Sequence, residues 1–437
     1  MTSFLARMRW AQVFVFAGVA ALIEEGLSSV SRGTHGTSDL SVFYRTVVLL
    51  LHGADASIYA GRDAVSNWYR CIPPAGLLWF WPFAHLSPRG ASFGWMIFNF
   101  ALAGAGVWAL SGITKTLWLN QSRANQLVWW ASGVFLFLAA PSVEVGQYSL
   151  MFCALWLLCI RAALAKRLDL AAVLLALPSA IKIYPALLLL VALGALAPRK
   201  WPRFAAMFGL GFAFWTWGAP TIAFGARVPS LSAAFFREIV FSPTGRLSES
   251  QSTRANSSHG LDTVMLRFLS RAPEPKDAPP HLELPVPTVL AATNAIRLLV
   301  ITATLALWWR RARSGSGERD WLLSLALWSA TLFLILPGAK ARYAVYAFPA
   351  FLPLLLFALA LWQTNARGKW NYTIFLAVTM VLVMSLVPDV ARVWGAGFWG
   401  ALALWLENAR LLVRAKQGVA QVENAVETAS FPVAAKT

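Results

Sequence analysis

Residues 170–196 read LAAVLLALPSAIKIYPALLLLVALGAL. The run is apolar enough to lie in a bilayer but longer than the roughly 20 residues of one straight crossing, and Pro178, Lys182 and Pro185 stand at its centre. Proline removes a backbone donor and breaks a helix, and a charged side chain at membrane depth belongs beside protein or water. The stretch therefore reads as two short helices meeting at a turn that carries Lys182. Irregular backbone in a membrane segment lines a cavity, so the chain is expected to be a helical membrane protein with a site near that break.

The rest of the chain has the same character. Of its 437 residues 58% are hydrophobic and 13% charged, with 22 Trp and 28 Phe, whereas a soluble domain carries about a quarter charged residues. An apolar run at 9–27 follows Arg7 and Arg9 and is too long for a cleaved leader, so it reads as a retained helix. Further runs lie at 93–113, 126–142, 148–164, 203–225, 287–309, 321–337, 342–362, 372–386 and 394–413. With the broken run they make an all-α bundle of about twelve transmembrane helices over 1–413, followed by a polar cytoplasmic tail at 414–437.

The net charge of +18 comes from short basic clusters between apolar runs, so it reads as a topology signal and not as a nucleic-acid face. With the N-terminus inside, Lys115, Arg123, Arg161, Lys166, Arg167, Arg199, Lys200, Arg203, Arg310, Arg311, Arg313, Arg319, Arg367, Lys369, Arg410, Arg414 and Lys416 fall in inner segments, and the short outer turns hold Lys182, Lys340, Arg342 and Arg392. This works if Pro74–Leu86, about thirteen residues, does not cross and lies as an interfacial helix with Trp79, Phe80 and Trp81 at headgroup depth. Two long extracytoplasmic loops follow, 28–92 and 226–286, the second with an amphipathic stretch at Leu261–Leu269.

No Walker sequence, Gly-rich nucleotide fingerprint or Asp-x-Asp pair is present, and Cys71, Cys153 and Cys159 have no metal-ligand spacing. An activated donor must then come from the membrane, as a lipid phosphate does. Asp39, in Gly36-Thr37-Ser38-Asp39-Leu40 at the start of the first outer loop, has two readings: an N-cap for the helix that follows, or a general base at the interface. Glu24 and Glu25, at the outer end of the first span, are reserve bases. Lys182 could snorkel to headgroups or bind substrate, and Arg342 could anchor a helix end or hold a phosphate. Gly146-Gln147 reads as a turn whose amide can face a sugar, and His259 is either solvated or part of the site.

The segments Ser38–Tyr44, His52–Tyr59, Tyr69–Pro74, Val145–Ser149, Ala180–Pro185 and Asn256–Ser258 resemble, in order and spacing, those of glycosyltransferase family 87. Its members are similar to polyprenyl-phosphate-mannose-dependent mannosyltransferases of the GT-C fold. The resemblance implies that Asp39 corresponds to the acidic residue used as catalytic base after the first span. It also implies that Tyr44, Gln147, Tyr184, Asn256, His259 and Tyr343, in or beside such segments, contact substrate. The chain departs from the family pattern in the late outer loop, where Gly338-Ala339-Lys340-Ala341-Arg342-Tyr343 replaces an aromatic-His pair. Lys340 and Arg342 would then supply the positive charge.

The expected activity is transfer of a hexose, most readily mannose, from a polyprenyl-phosphate donor to a glycan or glycolipid at the outer face of the inner (plasma) membrane. One inverting displacement would do this, with Asp39 as base and Lys182, Arg342 and Lys340 on the donor phosphate. The sequence demands neither metal nor cofactor beyond the lipid-linked donor. A transferase for another lipid-linked sugar of the arabinose type remains open, as does a polytopic lipid or sugar transporter. The absence of an internal repeat and the clustering of charges at helix ends weigh against transport.

Overall fold

The computed structural model describes residues 2–36, 38–117, 121–182, 184–186, 189, 196, 198–241, 260–270, 282–313, 318–336, 340–355 and 396–429. Asn256, His259, the predicted span at 372–386 and the last eight residues of the tail lie outside them, as does the side chain of Tyr184. The described chain is helical, with two isolated β-bridges.

Helix α1 (Thr2–Thr34) runs parallel beside α4 (Gln121–Glu144), Phe14 lying against Trp130 and Gly133 and Arg32 reaching Glu144, with the two drawn together where Gly133 makes room for the Phe14 ring. The short α2 (Asp39–Leu51) leads through the first loop to α3 (Pro88–Leu117). After α4 come α5 (Ser149–Leu164), α6 (Leu168–Ile181) and α7 (Trp201–Ala213), the last continuing through a π-turn at Phe214–Gly218 into Ala219–Phe224. The described chain closes with α8 (Leu261–Leu269), α9 (Val286–Arg313), α10 (Glu318–Ile335), a 3-10 segment at Ala341–Ala350 and α11 (Ala396–Ala429). Among the described residues, four helices are long and apolar enough to cross a membrane: Trp10–Thr34, Pro88–Thr116, Ala124–Glu144 and Val286–Arg310. Apolar helices too short to count among them are Ser149–Leu164, Leu168–Ile181 and Leu323–Ile335.

Helix ends differ from the hydropathy boundaries for a physical reason. Apolarity marks where a helix leaves lipid, whereas its hydrogen bonds stop at a cap or breaker. Helix α1 thus continues past Leu27 to Thr34, where Arg32 pairs with Glu144 of α4 at 2.5 Å. The expected break at Lys182 is present: α6 ends at Ile181, and Lys182 is extended (φ −138°, ψ 133°) with its N–H bonded to Pro178 O at 2.9 Å.

The two long loops meet. Arg227 donates to Ala54 O at 3.0 Å, and the Tyr59 and Phe235 rings lie 5.5 Å apart. The first loop is latched by Arg45, whose guanidinium grips both oxygens of Asp63 at 2.9 and 2.6 Å. Burial raises the Asp63 pKa, but the bonds from Arg45 and Ser66 outweigh it and hold the carboxyl well below the usual carboxylate range.

The segment Pro74–Leu86 is a helical turn followed by a 3-10 stretch, as its shortness suggests, but Phe80 is covered by protein and does not face headgroups. It is fully buried against Trp95, with ring centroids 4.1 Å apart, and against Phe43 and Tyr148. The inward-facing aromatics of α2, α3 and α5 enclose it, so the segment packs into the core.

Candidate active site

Helix α2 is capped by Ser38, not by Asp39. Ser38 is extended, its Oγ accepts the Ser41 N–H at 3.3 Å, and Ser41 Oγ returns the bond to the Ser38 N–H at 3.1 Å. This relieves Asp39 of the capping role and puts its carboxylate on the first helical residue, at the positive end of the helix dipole. The Ser38-x-x-Ser41 spacing was visible in the sequence and was the signal that could have separated the two readings.

Asp39 faces inward. One of its oxygens takes a 2.9 Å ion pair from Arg342 and a hydrogen bond from the Gln147 side-chain amide, and the Asp39 and Arg342 side chains are 14% and 18% exposed. Gln147 reaches it because Gly146 adopts φ +72°, a conformation that suits glycine, and lies directly against Leu40. The turn is stitched to α2 by Leu40 N–H to Val145 O at 3.3 Å. Gln147 is thus both a turn residue and a partner of the carboxylate, and its N–H is directed at Asp39, not at open space.

Arg342 and Tyr343 are held by the geometry of the 3-10 segment. Side chains three apart eclipse in such a helix, so Tyr343 stacks on Tyr346 at 5.7 Å with an interplanar angle of 6°. Tyr346 is stacked in turn on Phe152 of α5 (6.2 Å, 14°). Asn408 of α11 ties the end of the segment by donating to Ala350 O at 2.9 Å. The Lys182 ammonium lies 4.9 Å from the centroid of the Tyr343 ring and Arg342 lies 5.6 Å from it. Lys182 therefore points at protein and does not snorkel, and Arg342 is no simple helix-end anchor.

Lys340, at the start of the segment, is close enough to Arg342, Tyr343 and Asp39 to feel their charges. Burial first, then Arg342, pushes its pKa below the ordinary lysine value. The result is one carboxylate, an amide, three cations and a tyrosine gathered from α2, the α4–α5 turn, the α6 break and the 3-10 segment with its N-cap. Arg342 Nε is buried and finds no hydrogen-bond partner among the described residues, so the guanidinium has donor capacity left for an anion.

Tyr44 does not join this cluster. Its hydroxyl donates to Leu86 O at 2.8 Å, which pins α2 to the entrance of α3. Five residues from Asp39 on a helix, it is turned about 140° away. Glu24 is exposed on α1. Among the described residues no three His, Cys, Asp or Glu side chains converge as metal ligands do, and the three cysteines are unbridged.

Residues 71–337, more than half of the chain, match the model of glycosyltransferase family 87. The chain belongs to that family. This family 87 protein is therefore a glycosyltransferase, and its long apolar helices make it a membrane one. The matched stretch contains Gln147 and Lys182, while Asp39 precedes it and Lys340, Arg342 and Tyr343 follow it. No curated protein and no solved structure matches the chain.

Proposed function

We propose that the protein transfers a hexose, mannose in the first instance, from a polyprenyl-phosphate donor to a hydroxyl of a glycan or glycolipid at the outer face of the inner membrane. The observation that carries this reading is the Asp39–Arg342 ion pair with Lys182 and Lys340 beside it. A displacement at the anomeric carbon needs that pairing of charges. The acceptor O–H gives its proton to the Asp39 carboxylate as its oxygen bonds to the anomeric carbon. The bond from that carbon to the phosphate oxygen breaks, and polyprenyl phosphate leaves with one more negative charge than the donor had. Fixed cations at the leaving oxygen lower the barrier because they need no reorganisation as the charge develops. One displacement inverts the anomeric centre.

The residues have separate tasks. Arg342, Lys182 and Lys340 would take the phosphate, Tyr343 would hold Lys182 and Arg342 over its ring, and Gln147 would fix the Asp39 rotamer. Asn256, His259 and Tyr184 would contact the sugar or acceptor. The choice of mannose rests on the family resemblance, and the lipid donor on the absence of a nucleotide-binding motif in the sequence. The outer-face assignment is supported by the basic inner segments Lys166–Arg167 and Arg199–Arg203 emerging at the helix ends away from Asp39.

Consumption of radiolabelled polyprenyl-phosphate mannose in membranes tests the reading. Removing a general base costs about 10²–10⁴-fold, so Asp39→Asn at unchanged protein level is expected to lose turnover by that factor. Full activity in the variant overturns the assignment.

A further inference from the structure

Helices α5 and α6 have their Asp39-side ends at Gln147 and Lys182; their other ends meet at the turn Ala165–Arg167. With 16 and 14 residues they carry the chain about 20–24 Å from the carboxylate cluster, most of the way across a hydrocarbon core of about 30 Å. There the turn lies against the start of α7 and encloses a cavity of about 720 Å³. Five cations line it, Lys166, Arg167, Arg199, Lys200 and Arg203, against a single carboxylate, Asp169. That carboxylate orients one of them: Arg203 grips it with two hydrogen bonds of 2.9 and 2.5 Å. The same cavity has an apolar wall that includes Leu170 and Phe204, and Trp201 beside it is partly exposed, as aromatics at a membrane interface are.

We propose that this cavity binds the headgroup of an anionic phospholipid, with its phosphate among the five cations and its acyl chains along the apolar wall. A topology signal needs basic residues in a loop and does not need them to converge. Here two loops converge on one concave, roomy site at the far ends of α5 and α6 from Asp39, and a net excess of four positive charges matches a phosphodiester with no amine to neutralise it. The site is remote from Asp39 and independent of the proposed transfer reaction. It would tether the far ends of α5 and α6, the helices whose near ends hold Gln147 and Lys182.

The test uses the full chain in nanodiscs of phosphatidylcholine containing graded phosphatidylglycerol, with retained lipid counted by native mass spectrometry after mild extraction. The wild type is expected to keep one phosphatidylglycerol per chain. Each charge near a headgroup is worth about fivefold in affinity, so Arg199→Gln/Lys200→Gln should weaken retention about 25-fold. Lys115→Gln/Arg310→Gln removes two charges outside the cavity and should leave retention unchanged. Equal losses in the two double variants would mean diffuse surface charge and overturn the site, as would equal retention of phosphatidylcholine. Displacement by millimolar inorganic phosphate would make it a free-anion site and also overturn the proposal. Should Arg199→Gln/Lys200→Gln fail to fold, the wild type alone decides: its thermal midpoint must be higher in phosphatidylglycerol than in phosphatidylcholine.

Discussion

Gly146→Ala should cripple the enzyme without touching any group that meets substrate. Gly146 has φ +72°, and a Cβ there would lie 3.2 Å from Leu40 Cα and 3.3 Å from Leu40 N, with Leu40 Cβ closer still. Carbon atoms rest about 3.5–4.0 Å apart, so the turn and the first turn of α2 must separate by about 1 Å. Left-handed backbone costs an alanine about 1–2 kcal/mol, and overpacking adds about 1–3 kcal/mol, a destabilisation of about 3 kcal/mol in all. Asp39 precedes Leu40 and Gln147 follows Gly146, so the opening falls directly on their hydrogen bond. A misplacement of that size costs about 100-fold in rate. Gly53→Ala is the control, since φ there is +94° and an added Cβ meets nothing within 4 Å; it carries the backbone strain without the clash. Donor consumption and thermal unfolding of both variants in matched membranes separate the effects. If Gly146→Ala keeps activity within threefold of wild type, the turn does not position the carboxylate and the reasoning fails.

Two further outcomes follow from charges held in the fold. The Lys340 pKa is lowered below its ordinary 10.5 by burial and by Arg342. A lysine so shifted loses its charge earlier as pH rises, so a pH profile of kcat should fall on the alkaline side before an unperturbed lysine would titrate; Lys340→Arg should move that limb to higher pH. Asp262 pairs at 2.9 Å with Arg297, midway along a helix apolar enough to span, and the two side chains are 8% and 19% exposed. Asp262→Asn leaves that arginine without its counter-charge and should cost about 3 kcal/mol in thermal unfolding, with Asp262→Leu/Arg297→Met recovering most of it.

What the sequence disclosed and what it hid divide along physical lines. The break at Lys182 was legible because prolines four residues before it and three after it both weaken a continuous helix there. Asp39 stood out because a lone acid just beyond a span has few neighbours that could explain it. Its pairing with Gln147 was hidden, since the two lie 108 residues apart and meet only through the Gly146 turn. Tyr44 was placed at the site although the helical period already turns it away from Asp39. Phe80 was set at the interface because an isolated run of aromatics in a short apolar segment looks the same whether lipid or protein covers it. The shorter apolar helices, such as α6, lie below what length and composition alone can assign as crossing.

The carboxylate–cation cluster is assembled from turns, and each turn is stiffened by a different device: a capping box at Ser38, a left-handed glycine at 146, a proline-ended helix at Lys182 and eclipsed tyrosines behind Arg342. None of these supplies a reacting group, yet together they fix the distance between the Asp39 carboxylate, the proposed base, and the cations that would receive a leaving phosphate. That division of labour is what transition-state stabilisation by fixed charge requires, because charges free to relax toward each other would gain nothing as new charge develops. On the proposed reading, a donor phosphate would compete with Asp39 for the Arg342 guanidinium and, in taking it, would leave the carboxylate oxygen open to an acceptor proton.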